Sequence, residues 1–263
     1  MPLAFWKTYQ QPLPNGKFSA LLPEKIVDTM SRLENRIGER FPDSGLRQVA
    51  VELTEQARAT QRAVKYLPRP IWIIRIAALL AIALVLTGVI TMVSLTLDLD
   101  TGADGWVEWV QAIESAINEL IFLAIALYFL VSLEMRVKRK IALAALHRLR
   151  SFAHVIDMHQ LTKDPAYILA TAQPTASSPQ RAMTPFELVR YLDYCTELLS
   201  LTSKIGALYA QDLNDPIVLN AVNDVESLVD GLSAKIWQKI MILDMAVPDE
   251  EQEGPLAENV PEG

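Results

Sequence analysis

Apolar residues recur along this chain in two rhythms. In the first, apolar and polar positions alternate at steps of three and four. "PEKIVDTMSRLENRIGERF" places Ile26, Met30, Leu33 and Ile37 on one face, and "GLRQVAVELTEQARATQRAVKYL" does the same with Leu46, Val49, Leu53, Ala57 and Val64. That spacing predicts amphipathic helices over 23–67, ahead of a stiff Leu67-Pro68-Arg69-Pro70 joint. The rhythm returns near the C-terminus with a legible start. "TPFE" offers Thr184 as N-cap, Pro185 at the first helical position and Glu187 as the reciprocal capping residue. Leu188, Leu192, Cys195, Leu199 and Thr202 follow in heptad-like spacing. After "NDP" at Asn214 to Pro216 come Val218, Val222, Val225, Val229, Leu232, Ile236 and Leu243, with a break at Lys239. The short joint "YAQDLNDP" makes 184–246 an antiparallel helical hairpin.

In the second rhythm every face is apolar. Ile71 to Leu97 carries one charge, Arg75, and Ile76 to Leu97 is twenty-two residues without any. About 20 such residues cross a hydrocarbon core of about 30 Å. A second run, "INELIFLAIALYFLVSL", covers Ile117 to Leu133. Core helices of soluble proteins seldom keep every face apolar for so long, so these runs predict transmembrane helices over 71–97 and 113–134, joined by an external loop and interfacial turn at 98–112. No glycine or proline stands between Trp106 and Asp164, which extends the second span into a continuous helix over 135–163. Its expected stripe is Ile141, Ala145, Leu149, Phe152 and Ile156, continued by His159, and Pro165 ends it.

Charge sets the orientation. No Lys or Arg occurs from Ile76 to Met135, whereas Arg58, Arg62, Lys65, Arg69 and Arg75 precede that window and Arg136, Lys138, Arg139 and Lys140 follow it. The intervening loop carries the acids Asp98, Asp100, Asp104 and Glu108. This bias places both termini in the cytoplasm, with Trp72 at the inner interface and Trp106 and Trp109 at the outer one. Arg136, Lys138, Arg139 and Lys140 are then expected at lipid headgroups, each gaining about 1 kcal/mol from anionic lipid. A net charge of −7 argues against nucleic acid as a partner.

The remaining segments are expected to be irregular: 1–22, which lacks the pattern of a secretory signal; 164–183, a linker; and 247–263, an acidic and disordered tail. The single cysteine, Cys195, allows no intramolecular disulfide and reads as a small core residue. No phosphate-binding glycine loop, nucleophile elbow or zinc-protease motif occurs, so no catalytic residue, cofactor or metal is assigned and the chain is not expected to be an enzyme. Two polar constellations remain. His147, Arg150, His154 and Asp157 form a row opposite the apolar stripe, able to meet an anionic ligand or a protein partner or to face solvent. Glu114, Asn118 and Glu119 sit at the outer part of the second span, with Glu119 about 7 Å inside the apolar layer and at the depth of Thr91. A Thr91–Glu119 hydrogen bond within one hairpin is the plainer expectation, and a ring of Glu119 about an oligomeric axis the functional one.

The expected fold is therefore an all-α integral membrane protein: two transmembrane helices in a hairpin, a cytoplasmic helical bundle, and a long second helix reaching into the cytoplasm. A bacterial inner membrane is the expected location. Two spans cannot enclose a pore, so a conducting protein has to be a homo-oligomer. The expected function is a homo-oligomeric membrane protein whose cytoplasmic helical domain regulates or docks, and which forms a cation-permeable pore or acts as a membrane effector. The alternative is a non-conducting, membrane-anchored adaptor or scaffold for a cytoplasmic protein.

Overall fold

The computed structural model describes residues 19–98, 105–165, 176 and 183–246. The expected acidic tail, most of the 164–183 linker, the first 18 residues and the tip of the 98–112 loop lie outside the described residues. The protein is all-helical, with six α-helices and no strand among the described residues: α1 (Pro23–Arg40), α2 (Gly45–Tyr66), α3 (Trp72–Asp98), α4 (Gly105–Leu161), α5 (Pro185–Asp212) and α6 (Pro216–Ala246). The chain divides into two compact units, one made of residues 65–143 and the other of the residues before and after them.

Local chemistry sets the helix ends. Pro23 opens α1, where its missing N–H is no loss, and the Phe41 N–H closes the last turn on the Ile37 carbonyl at 2.8 Å. At α5 the Thr184 hydroxyl accepts from the Glu187 N–H at 3.2 Å while the Thr184 N–H donates to Glu187 Oε2 at 2.9 Å, completing the capping box. The α6 start is held by Asp215, whose Oδ1 accepts from the N–H groups of Ile217 (3.0 Å) and Val218 (3.2 Å).

In the unit formed by the two chain ends, five helix segments run alternately up and down. α1 is antiparallel to α5: the Leu21 N–H donates to Gln211 at one end, Arg36 meets Glu197 midway, and Phe41 packs edge-on to Tyr191 at the other end. α2 returns beside them, its Thr60 accepting from the Tyr209 hydroxyl at 3.3 Å. The C-terminal part of α4 lies against Gly206 of α5 through Leu146 and Leu149, and α6 reaches the same point through Val225. α5 is thus the central helix. It buries Leu188, Leu192, Cys195, Leu199 and Thr202, and also Tyr191, Tyr194, Leu198, Leu201, Ile205 and Tyr209 around the rest of its circumference. Burial of a large apolar side chain stabilises by about 1.5–3 kcal/mol. The four buried side chains of α1 therefore outweigh its half-exposed Arg36–Glu197 pair (2.9 Å), a kind of contact worth about 0.2–1 kcal/mol.

On α4 the stripe differs from expectation at two positions. Ala145, Leu149 and Ile156 are buried, but Ile141 is 47% exposed and Phe152 is half-buried, and Leu146, Ala153 and Gln160 complete the inner face instead. The other unit contains α3 and the first part of α4. Trp72–Thr91 of α3 and a stretch of α4 from Ile113 are long and apolar enough to cross a membrane, and neither apolar window has any buried residue.

Candidate functional site

Glu119 faces α3 at the position where α3 has no side chain. A Cβ placed on Gly88 would lie 3.8 Å from Glu119 Oε2 and 3.9 Å from Oε1, so the carboxylate packs against the backbone of α3 there with space for no more than a small side chain. Glu119 Oε2 is shut off from solvent and has no hydrogen-bond partner among the described residues. The hydrogen bond expected from Thr91 is not made. Its hydroxyl donates to carbonyls of its own helix, at 2.8 Å to Gly88 and 3.0 Å to Thr87, as a threonine within an apolar helix does when nothing else is in reach. Thr87 and Ser94 are turned inward on α3 in the same way, to Ala83 and Thr91. Glu114 and Asn118 are exposed. The sequence singles out Glu119 as a carboxylate in an apolar run but not the residue of the other span that it meets.

At the other end of this hairpin a second polar knot forms. Lys138 is buried and donates to Glu134 at 2.7 Å, one helical turn back. The Glu134 carboxylate also takes the backbone N–H of Ile71, just before α3 begins, with Arg75 near it. Of the four cations expected at lipid headgroups, Arg136 and Lys140 are exposed and Arg139 is half-buried, whereas Lys138 is spent on this internal pair.

The His147, Arg150 and His154 side chains are exposed on α4, and Asp157 is half-buried, accepting from the Gln160 side-chain amide at 2.6 Å. The row therefore does not close into one site. Gln160 leads instead to a residue that broke the pattern of α6. The Lys239 amine donates to the Gln160 side chain at 2.6 Å and to the Gln160 carbonyl at 3.0 Å, and reaches the Lys163 carbonyl at 3.4 Å. These are carbonyls at the C-terminus of α4, which a cation suits by both hydrogen bonding and helix dipole. Cys195 lies in the same core, where burial pushes its thiol up to about 12. No group of three His, Cys, Asp or Glu side chains converges as a metal site among the described residues.

No protein-family model matches the sequence, and neither a curated protein nor a solved structure matches it.

Proposed function

We propose that the chain is an integral membrane protein of two spans, with both termini cytoplasmic, whose copies associate so that Glu119 serves a cation path. Its five-helix bundle is the cytoplasmic regulatory or docking domain. The observation that carries this reading is the enclosed, donorless oxygen of Glu119 against Gly88. A buried polar atom left without a partner costs about 1–3 kcal/mol, and more when charged, so such an atom is retained where a ligand or second subunit completes it. A carboxylate oxygen in that state suits a cation stripped of part of its water. The two uncovered apolar windows support the membrane, since hydrocarbon is a medium that favours side chains so apolar over such a length.

Purified protein in liposomes should form a defined oligomer and pass cations in preference to anions. Glu119→Gln should leave the assembly intact and lower that selectivity. A strictly monomeric protein, or an intact assembly without flux, would sink the pore reading. Orientation is tested with Thr101→Cys and Asn214→Cys in a Cys195→Ala background. In intact cells a membrane-impermeant thiol reagent should label the first and spare the second.

One observation favours the adaptor as a second reading. Trp237, Met241 and Met245 stand at four-residue steps on α6 and are 54%, 58% and 76% exposed. A row of large apolar side chains in water marks a contact surface for another protein. Met241→Glu should then abolish co-purification of a cytoplasmic partner without changing membrane abundance, and retention of that partner would remove the adaptor.

A further inference from the structure

α2 begins at a glycine for a reason that lies on another helix. A Cβ added to Gly45 would come within 2.4 Å of His159 Cε1 and 3.2 Å of Nε2. The imidazole therefore points its Cε1 edge at the first residue of α2, at that helix's N-terminus. Ser44 caps the same end, its hydroxyl accepting from the Arg47 N–H at 3.2 Å. The ring fills the junction between the α1–α2 turn and the last turn of α4. We propose that His159 is an acid-sensitive latch, holding the α1–α2 turn onto the end of α4 near neutral pH and releasing it when the ring takes up a second proton.

The surroundings oppose that proton. Burial and then the Lys163 ammonium hold the His159 imidazole below its ordinary value of 6.5. The N-terminus of α2 adds the positive end of a helix dipole. The other charged groups of the junction are engaged elsewhere or lie outside it. From the α1–α2 turn, Arg47 donates to the Pro42 carbonyl at 3.0 Å and Asp43 is exposed. From α5, the Tyr191 ring carries Lys163 at 5.2 Å. From α6, Lys239 is committed to Gln160 and Lys163 carbonyls, and on α4 itself Asp157 holds the Gln160 amide. The sign follows. The open junction binds the proton more readily than the closed one, so the latch is fully effective above the ordinary value of 6.5 and weakens as pH falls through it toward the depressed value.

The latch is tested by hydrogen exchange on the full-length protein in nanodiscs, at pH 7.5 and 5.5, corrected for intrinsic rates. Residues 42–48 should exchange severalfold faster at the lower pH. His159→Gln, which keeps a planar neutral side chain, should show no such acceleration. Gly45→Ala, which pushes the ring away, should exchange at the acid rate already at pH 7.5. Equal acceleration in wild type and His159→Gln, or none in wild type, overturns the proposal. Should a variant not fold, nuclear magnetic resonance titration of the wild-type His159 ring decides, and a midpoint at or above 6.5 refutes it.

Discussion

Lys239 interrupts an otherwise apolar face of α6, and the interruption is resolved on α4. Its amine reaches carbonyls at the end of α4, among them that of Gln160, which also accepts from the Lys163 N–H at 3.1 Å, and it donates to the buried Gln160 side chain at 2.6 Å. Burial lowers its pKa, with Asp164 and Asp157 acting in the opposite direction. Lys239→Met should fit the volume but leave the buried Gln160 side-chain oxygen without its donor, and a loss of about 1–3 kcal/mol is expected in thermal or denaturant unfolding of the solubilised protein. A loss below that range would show that water replaces the amine. Cys195 presents the opposite case, a side chain with nothing to do but fill space. With its thiol buried and pushed up to about 12, it should resist maleimide reagents at neutral pH in the folded protein and react in denaturant. Labelling of the native protein would place Cys195 outside the core.

At the scale of elements, helix starts were the most legible feature because they rest on short-range chemistry. Thr184 and Glu187 form the capping box that "TPFE" announces, and Thr184→Ala should cost about 1 kcal/mol of stability measured by unfolding. The faces of α1, α2 and α6 were readable for a similar reason, their apolar residues being large and their polar ones charged. α4 was misread at Ile141 because alanines at 142, 144, 145 and 153 leave the angular position of the face ambiguous, and packing alone decides it. The central place of α5 was missed, although Tyr191, Tyr194, Leu198, Leu201 and Ile205 widen its apolar arc well beyond one stripe. Glu119 could be found as a carboxylate in an apolar run, but Gly88 could not be matched to it, since no local pattern fixes which residues of two spans meet. That pairing yields a graded expectation. A Cβ at 3.8 Å is an ordinary contact, so Gly88→Ala should fold like wild type, whereas Gly88→Leu should cost about 1–3 kcal/mol by overfilling the space beside Glu119. Equal stability of both variants would show that α3 and α4 are loosely apposed there.

At the scale of the whole molecule, the bundle is assembled from distant parts of the chain. Arg36 and Glu197 are 161 positions apart, Thr60 and Tyr209 149, and Leu21 and Gln211 190. A chain ending at Met183 should accordingly fail to bury the faces of α1 and α2 and should aggregate or bind a hydrophobic dye. A soluble, protease-resistant α1–α2 pair from it would contradict the central role of α5. The same separation bears on how the protein is made. At about 5–20 residues per second, the ribosome needs roughly 7–30 s to go from Tyr66 to Asp212. Throughout that interval the first two helices exist as nascent chain with a naked apolar face, while the greasiest part of the polypeptide is emerging behind them. Biogenesis is therefore expected to depend on something shielding α1 and α2 until α5 is synthesised, and shortage of that shield would be a route to failure that no substitution in the finished fold reveals.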